Sequence, residues 1–308
     1  MNVLEKNTEG LSSLAIITFW YGKYPWYMPY FIHTCKFNPT VDFIIITDNT
    51  AIIPDKPENV KVVYKTLEEF KERASVKLGF TVAIETPYKL CDFKPAYGFI
   101  FPEIIQKYDF WGHGDIDMAY GNIRNFMTAK ILNEYDIISS RNDITTGTFL
   151  LYRNNIKMNT LFMQSRDYKQ VYTDPEHYCF DECNFLFTEL DRGDSILDYP
   201  NNVQSMTYLA VKGDKEGHFR AFFDYIIVQG MSNNIRWDNG IIIYDDRFEC
   251  MFYDLIKYKV KCKNKTVTYP IPEVFYFNKN GINKNSFWKL LSLKIKAKIS
   301  KNDNKISA

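Results

Sequence analysis

The chain has 308 residues, of which 46% are hydrophobic, and a formal net charge of +1. This length allows a substantial buried core in one large domain or two modest ones. The nearly neutral charge argues against a nucleic-acid-binding protein that works by neutralising phosphates, and no segment approaches the ~20 consecutive apolar residues of a membrane span.

Segments typical of strands and of helices alternate through about residue 190. Short apolar runs predict strands at residues 14–20, 42–47 and 60–64, around Asp109, and at 135–139 and 148–153. Helical patterns cover residues 26–35, 66–77, 88–107 with breaks at Pro95 and Pro102, 122–133, 154–168 and 181–190. Later strands include 241–244 and 274–277. The order predicts an α/β fold, with a mostly parallel central sheet flanked by helices and a smaller mixed C-terminal region.

The most informative stretch runs from Tyr108 to Asp117 and reads Tyr-Asp-Phe-Trp-Gly-His-Gly-Asp-Ile-Asp. Its aromatic run breaks into glycines and ends in two carboxylates, Asp115 and Asp117, which point the same way on an extended backbone. Paired carboxylates at a strand end suit Mg²⁺ or Mn²⁺, and such a metal usually carries a phosphate-bearing ligand. The alternative is a solvated strand-to-helix turn in which Asp117 or Asn122 caps the next helix.

Three groups of polar or aromatic residues fall at the carboxyl ends of predicted strands: Trp20-Tyr21, Asp48-Asn49 and Asp115-Ile116-Asp117. In mostly parallel sheets, ligands bind at this edge, near a switch point in the strand order. We therefore expect these residues to share one site. The aromatic content of 17% fits stacking platforms for sugars or bases, and it fits a bulky core equally well.

The block Lys89-Leu90-Cys91-Asp92-Phe93-Lys94-Pro95, followed by the stretch from Tyr108 to Asp117, resembles glycosyltransferases of the GT-A fold. It is similar in particular to a poorly characterised group of bacterial proteins from polysaccharide-biosynthesis clusters, over about residues 12–280. The resemblance implies one Rossmann-like GT-A domain at residues 1–280, with a nucleotide-sugar half at about 12–140 and an acceptor half at about 141–280. Residues 281–308 would form a basic tail.

The resemblance also implies a metal site. Asp115 would contact the donor ribose or the metal, and Asp117 would bind the Mn²⁺ or Mg²⁺ ion that bridges the donor diphosphate. Many such enzymes add a histidine ligand near the C-terminus. The corresponding stretch here has no histidine, and Asn278 would take its place through its amide oxygen, with His113 and His218 as further candidates.

Donor-binding and catalytic roles carry over in the same way. The implied donor-binding residues are Thr18, Phe19 and Tyr21 around the base, Asp48 at the base or ribose, Asp92 and Lys94 over the donor, and Thr146 and Gly147 at the sugar. Asp181 and Glu182 resemble the acidic pair that serves as general base in inverting enzymes or stabilises the positive sugar in retaining ones. The placement of the Thr-Gly-Thr and Asp-Glu motifs favours retention.

Several of these residues also have purely structural interpretations. Phe19 and Tyr21 fit a hydrophobic core, and Asp48 fits a turn. Lys94 fits a helix boundary, because the residue before a proline is disfavoured in the α region. Asp181 fits a helix N-cap. The sequence leaves each of these alternatives open.

The C-terminal tail is strongly basic: from Ile282 onward, seven lysines stand against one aspartate, a net charge of +6. Residues 287–299 mix apolar residues with lysines, which is typical of an interfacial helix on anionic lipid. A solvated tail is the alternative. Six cysteines without a C-x-x-C pair indicate reduced thiols rather than a zinc site. These features favour a cytoplasmic protein, peripheral at the inner face of the cytoplasmic membrane.

The sequence therefore predicts a metal-dependent transferase that moves a sugar from a UDP-hexose to a glycan or lipid-linked acceptor in bacterial surface polysaccharide biosynthesis. The main alternative is a catalytically inactive protein that keeps the fold and binds a nucleotide or sugar. A phosphatase of the haloacid dehalogenase type is disfavoured, because its Asp-x-Asp lies on the first strand and is followed by threonine, where this chain has Ala119. A glycosidase with two carboxylates needs no metal and fits the α/β order poorly.

Overall fold

The computed structural model describes residues 10–224, 226–228, 235–261, 267, 269–278 and 281–284. The strands are β1 (Leu14–Trp20), β2 (Val41–Thr47), β3 (Val60–Tyr64), β4 (Phe110–Gly114), β5 (Met118–Tyr120), β6 (Ile137–Ser139), β7 (Phe149–Arg153), β8 (Ala221–Phe223), β9 (Ile227–Val228), β10 (Ile235–Asp238), β11 (Ile241–Tyr244), β12 (Phe248–Cys250), β13 (Phe252–Asp254), β14 (Val274–Asn278) and β15 (Gly281–Asn283). The α-helices are α1 (Met28–Cys35), α2 (Leu67–Leu78), α3 (Leu90–Phe93), α4 (Tyr97–Ile100), α5 (Pro102–Ile105), α6 (Ile123–Phe126), α7 (Ala129–Glu134), α8 (Ile156–Asn159), α9 (Tyr168–Thr173), α10 (Phe187–Asp191), α11 (Met206–Lys215) and α12 (Ile256–Lys261). Among these helices, none is long and apolar enough to cross a membrane.

The largest sheet has seven strands in the order β3-β2-β1-β4-β7-β6-β8. Strands β3, β2, β1 and β4 run parallel, β7 is antiparallel to both of its neighbours, and β8 is parallel to β6. This arrangement confirms the predicted α/β fold with a mostly parallel central sheet. The antiparallel β6–β7 pair has a simple cause, because the connection at residues 140–148 is shorter than the dozen or so residues that a parallel crossover needs.

The first two strands form the centre of the sheet because both of their faces are apolar. In β1, Leu14 and Ile16 belong to a buried cluster that includes α1, whereas Ala15 and Ile17 belong to a second buried cluster that includes α2 and α4. Strand β2 divides between the same two clusters. Parallel strands covered on both faces have continuous apolar sequences. For this reason the apolar runs located these strands correctly.

The helical predictions over residues 66–107 are confirmed in type. Thr66 and Glu69 form a capping box at the start of α2, with each side chain accepting a hydrogen bond from the other residue's backbone N–H. The predicted long helical stretch is broken into short helices: Pro95 lies in the 3₁₀ turn Lys94–Ala96, and Pro102 begins α5. A proline ring removes a backbone donor and clashes with the preceding turn, so neither residue fits a helix interior.

Three predicted helices differ from the observed ones. The helix predicted at 154–168 is broken into α8 and the 3₁₀ helix Leu161–Gln164, and α9 begins only at Tyr168. The helix predicted at 122–133 is divided into α6 and α7, which are capped by the side chains of Asn122 and Thr128. The helix predicted to begin at Asp181 begins only at Phe187. Asp181 is buried in the preceding turns and lies against Lys94 instead of capping a helix, so a tertiary ion pair has overridden the local N-cap signal.

The C-terminal strands form two smaller sheets, β5-β13-β9 and β12-β11-β10-β14-β15. They pack onto the first half of the chain: Trp237 is fully buried, its indole N–H donates to the carbonyl of Tyr120 at 2.8 Å, and its ring stacks on Phe275. The predicted interfacial segment at 287–299 lies outside the described residues, and the division into a donor half and an acceptor half stays a prediction.

Candidate functional site

A cavity of ≈ 250 Å³ lies at the carboxyl edge of the central sheet. It is at the switch point of the strand order, because β1 pairs with β2 on one side and with β4 on the other. The register aligns Trp20 at the end of β1 with Thr47 at the end of β2. The cavity is lined by Phe19, Trp20, Tyr21, Pro87, Tyr88, Leu90, Cys91, Lys94, Tyr97, Gly114, Asp115, Ile116, Asp117 and Lys259.

Asp115 and Asp117 both line this cavity, as their position after β4 predicted. The backbone between them bends rather than continuing as a strand. Each carboxylate is paired with a lysine: Asp115 Oδ1 lies 2.8 Å from Lys94 Nζ, and Asp117 Oδ2 lies 2.7 Å from Lys259 Nζ. The cavity wall therefore carries two carboxylates and two ammonium groups, a pattern suited to a charged ligand.

The acidic side chains nevertheless repel one another. Burial raises the pKa of Asp117 and the charge of Asp115 raises it further, while Lys259 opposes both. Asp254, at the end of β13, is also buried, and burial followed by the charge of Asp117 raises its pKa to about 7. A cation close to these carboxylates would relieve the repulsion.

The side chains present fit a divalent ion that is shared with a substrate. Mg²⁺ is commonly held by one or two carboxylates together with substrate phosphates, and Asp115 and Asp117 supply two such carboxylates. Among the described residues, no group of three or more His, Cys, Asp or Glu side chains is placed to hold a metal ion by itself. Phosphates and water would therefore provide the remaining ligands.

Lys94 joins the cavity to a second group of polar residues behind it. Its side chain is only 7% exposed, and its ammonium donates to Asp115 Oδ1 and to the carbonyl of Gly147, both at 2.8 Å. It also lies 3.7 Å from Asp181 Oδ2. Burial works to lower the pKa of Lys94, but the neighbouring acids raise it well above its usual value, so the group stays charged.

The turn at Thr146-Gly147 and the Asp181-Glu182 pair meet at this point. The amide of Gly147 donates to Glu182 Oε1 at 2.8 Å. A Cβ atom at Gly147 would lie 2.6 Å from Asp181 Oδ2, so this close approach requires glycine. Burial raises the pKa of Asp181 well above its usual value, and Lys94 opposes that effect.

Two aromatic residues named from the sequence, Phe19 and Tyr21, serve the core and the cavity together. Both are half-buried and both line the cavity. The ring of Phe19 also packs against Phe70 and Tyr97, with centroids 5.1 and 4.4 Å apart. One face of this aromatic group is therefore fixed by packing, and another is accessible from the cavity.

Other named residues lie near the cavity without lining it. Thr18 is buried and its hydroxyl donates to the carbonyl of Gly114 at 2.8 Å, which joins the ends of β1 and β4. Asp48 is exposed and accepts a hydrogen bond from the amide of Gly22. Thr146 is buried and its hydroxyl donates to the carbonyl of Phe149 at 2.6 Å.

The remaining candidates are also not among the residues that line the cavity. Asp92 is fully buried. His113 is also fully buried, its Nε2 lies 3.1 Å from the carbonyl of Thr146, and burial together with Lys94 lowers its pKa to about 3. His218 is exposed near the end of α11, beside Glu216. Asn278 ends β14, and its side chain lies outside the described residues.

Sequence reasoning did not find Lys259 or Asp254. Both come from the C-terminal half, and the Leu255 amide donates to the carbonyl of Asp117 at 2.7 Å. Lys259 thereby lines the cavity, and Asp254 lies close enough to Asp117 to feel its charge. Lys259 lies in a run of alternating lysines, Lys257, Lys259 and Lys261, with nothing in the local pattern to distinguish it.

The described residues thus define an α/β protein with a mixed-charge cavity at the switch point of a mostly parallel sheet. The chain belongs to a family of unknown function, DUF6625, whose profile matches residues 16–286. No curated protein matches the sequence significantly.

Similar solved structures include the galactosyltransferase LgtC in complex with donor and acceptor sugar analogues, at a TM-score of 0.32 and 14% identity. That match covers 53% of this chain and 66% of the other. Another is mouse xyloside xylosyltransferase 1 in its apo form, at a TM-score of 0.41 and 10% identity, covering 71% of this chain and 88% of the other. Both similarities are distant.

Proposed function

We propose that this protein is a metal-dependent glycosyltransferase that moves a sugar from a nucleotide sugar, with UDP-hexose as the donor class, to a glycan or lipid-linked acceptor in bacterial surface polysaccharide biosynthesis. The observation that carries the proposal is the switch-point cavity. Its lining includes the charged side chains Asp115, Asp117 and Lys94 and the aromatic rings of Phe19 and Tyr21. A charged diphosphate and a flat base are the two parts of a nucleotide sugar that such walls match.

In this proposal the residues divide the donor between them. Asp115 and Asp117 hold a Mn²⁺ or Mg²⁺ ion, which supplies positive charge to the departing diphosphate. Lys94 and Lys259 place ammonium charges on the same side of the cavity, where they act as point charges toward phosphate. Tyr21 and Phe19 would stack on the base. Burial of the ion pairs strengthens each of these charge interactions relative to water.

Asp181 is the proposed catalytic carboxylate. It is buried behind the cavity wall, where its Oδ2 lies 3.7 Å from Nζ of Lys94, which lines the cavity. A carboxylate at this position can accept the acceptor's proton or stabilise positive charge on the sugar. We favour the second role and a retaining reaction. Glu182 then acts by fixing the amide of Gly147.

One observation favours a second candidate, a protein that binds nucleotide without transferring sugar. The two carboxylates proposed for the metal are already paired with lysines at 2.8 and 2.7 Å. If those pairs persist in the bound state, the cavity would hold a diphosphate without a divalent ion. The metal dependence of binding separates the two candidates.

The test is calorimetric titration of UDP into the protein with and without Mn²⁺. We expect binding that requires the metal and weakens at least tenfold in Asp117→Asn, which removes a ligand charge while keeping the shape. Asp191→Asn is the matched control, because Asp191 is 64% exposed and belongs to a surface ion pair with Arg141. That variant should bind as the wild type does.

Release of UDP from UDP-hexoses, followed with acceptor glycans, then tests transfer. Metal-independent binding of UDP without any release would favour the binding protein. Failure of UDP, GDP and CDP to bind, both with every divalent metal tried and without any metal, would refute both candidates.

A further inference from the structure

The segment that carries Asp181 has an unusual backbone. It joins α9 to α10 and contains no regular helix or strand between residues 174 and 186. Cys179, Asn184 and Phe185 adopt positive φ angles of 51°, 51° and 64°. Non-glycine residues pay an energetic cost for such angles and keep them only where the surroundings hold the chain in place. Some group must therefore fix this segment.

Asp92 provides that fixation. Its carboxylate accepts hydrogen bonds from two backbone amides of the segment, that of Tyr178 at 2.9 Å and that of Phe180 at 2.8 Å. These amides lie on either side of Cys179, and the second immediately precedes Asp181. Oδ1 of Asp92 also lies 3.2 Å from Nδ1 of His177.

Lys89 extends the same connection. Its buried ammonium donates to Asp92 Oδ2 at 2.9 Å and to the carbonyl of Val171 at 2.7 Å, and it also donates to the carbonyl of Glu176. All three ammonium hydrogens therefore have partners. The Lys89–Asp92 pair therefore connects the turn at residues 89–92 to the segment from residue 171 to 180. Lys89 donates to two of the segment's carbonyls, and Asp92 accepts from two of its amides.

The arrangement leaves Asp92 no freedom to bind a donor. Its side chain is 0% exposed and does not line the cavity. Oδ2 accepts hydrogen bonds from Lys89 and from the Tyr178 amide, and Oδ1 accepts one from the Phe180 amide and lies 3.2 Å from Nδ1 of His177. A ribose hydroxyl would have to displace a backbone amide to reach it.

The same short stretch of chain also holds the side chain of Asp181. Lys94 is two residues beyond Asp92 and lies 3.7 Å from Asp181 Oδ2. Asp92 therefore fixes the backbone that leads into Asp181, while Lys94 sets the charge beside the carboxylate. Both contacts come from the turns between residues 87 and 96, so they form one rigid support.

From these contacts we infer that Asp92 is a positioning residue, which sets the place of Asp181 relative to Lys94 and Gly147 instead of contacting the donor. The inference rests on the proposed function and names the part of the structure on which the chemical step depends. A displacement of about 1 Å at a reacting group can lower a rate by 10²-fold.

The test is Asp92→Asn, which keeps the shape but presents an amide NH₂ to one of the two backbone donors. UDP is titrated with Mn²⁺, and UDP release is measured from UDP-glucose, UDP-galactose and UDP-N-acetylglucosamine. We expect UDP affinity and KM within about threefold of the wild type and kcat lower by about 10²-fold. In an Asp181→Asn background, the added substitution at Asp92 should have no further effect on kcat.

The control is Asp109→Asn. Asp109 likewise accepts a backbone amide, that of Ser13 at 2.7 Å, but at the opposite edge of the sheet. It should lower stability without changing kcat. If Asp92→Asn does not fold, His177→Gln perturbs the same carboxylate more gently. It should lower kcat three- to tenfold, a range below the ~10²-fold limit, at unchanged UDP affinity.

Three results would overturn the inference. The first is weaker UDP binding with normal kcat in Asp92→Asn, and the second is a double variant in which the kcat losses from Asp92→Asn and Asp181→Asn multiply. The third, if Asp92→Asn is unfolded, is normal kcat in His177→Gln. A wild type that neither binds UDP nor releases it from any of the three donors would instead refute the proposed function, and the inference with it.

Discussion

Replacing Lys94 with methionine should be strongly destabilising, because it removes the cation from a buried group of acids. The Lys94 side chain is 7% exposed and that of Asp181 is 4% exposed. Removing one partner of a buried ion pair costs about 3–5 kcal/mol. We expect the lower end, about 3 kcal/mol, because Asp115 is 33% exposed and water replaces part of its lost interaction.

This loss should be measured by urea unfolding and by the melting temperature. For a chain of 308 residues, a loss of about 3 kcal/mol corresponds to a shift of roughly 5 °C. Lys107→Met is the matched control: its side chain is 63% exposed and lies 3.9 Å from Asp42, so we expect a change within about 0.5 kcal/mol.

The loss should also depend on pH. Burial raises the pKa of Asp181 and Lys94 opposes this, so without Lys94 the carboxyl binds its proton more tightly in the folded state. The loss should therefore shrink as pH falls through the raised folded-state pKa of Asp181, and it should be smallest below pH 3.8, where the carboxyl is protonated in both the folded and the unfolded state. A loss under about 1 kcal/mol at neutral pH, or one that does not change on acidification, would refute this reasoning.

Two further predictions concern the same region. In Gly147→Ala, Asp181 must move by about 0.8 Å to reach an ordinary contact of 3.4 Å, so sugar transfer should fall by about 10²-fold while UDP affinity stays within threefold. The control is Gly193→Ala: no atom lies within 4 Å of the added Cβ, but φ is +94°, so this variant should lose stability through backbone strain and keep normal transfer when folded. Equal losses of transfer in both variants would contradict the steric argument. Burial lowers the pKa of His177, but Asp92 and Cys179 raise it by more, to about 9. The stabilisation from this raised pKa is complete below pH 6.5 and is lost as pH rises through 9, so the stability difference between wild type and His177→Gln should narrow over that range in urea unfolding. A difference that stays constant with pH would show that His177 is uncharged in the folded protein.

The sequence predicted those parts of the fold that depend on local signals. Strands β1 and β3 have the predicted limits, and β2 begins one residue earlier than predicted. Helix α2 was located by its capping box, in which Thr66 and Glu69 are only three residues apart. These elements were predictable because apolar runs and caps act over a few residues.

The convergence of residues at the strand ends was also predictable, because it follows from the topology of parallel sheets. The pairing of Asp117 with Lys259 was not, because these residues are 142 positions apart and nothing in the local pattern of either one specifies the other. The positioning role that we infer for Asp92 could not be predicted for a related reason. Its motif indicates a polar role, but only the fold shows that its oxygens face backbone amides.

The long separation between Asp117 and Lys259 also bears on the order of folding. Contacts between distant residues form after local ones, because the chain must first close a large loop. The cavity is therefore completed only when strand β13 and helix α12 have docked, after the parallel strands are in place. A nucleotide that binds the finished cavity would stabilise the fully folded chain in proportion to its concentration. Nucleotide binding followed during refolding would then report the docking of β13 and α12, the last assembly step, and not the earlier formation of the parallel sheet.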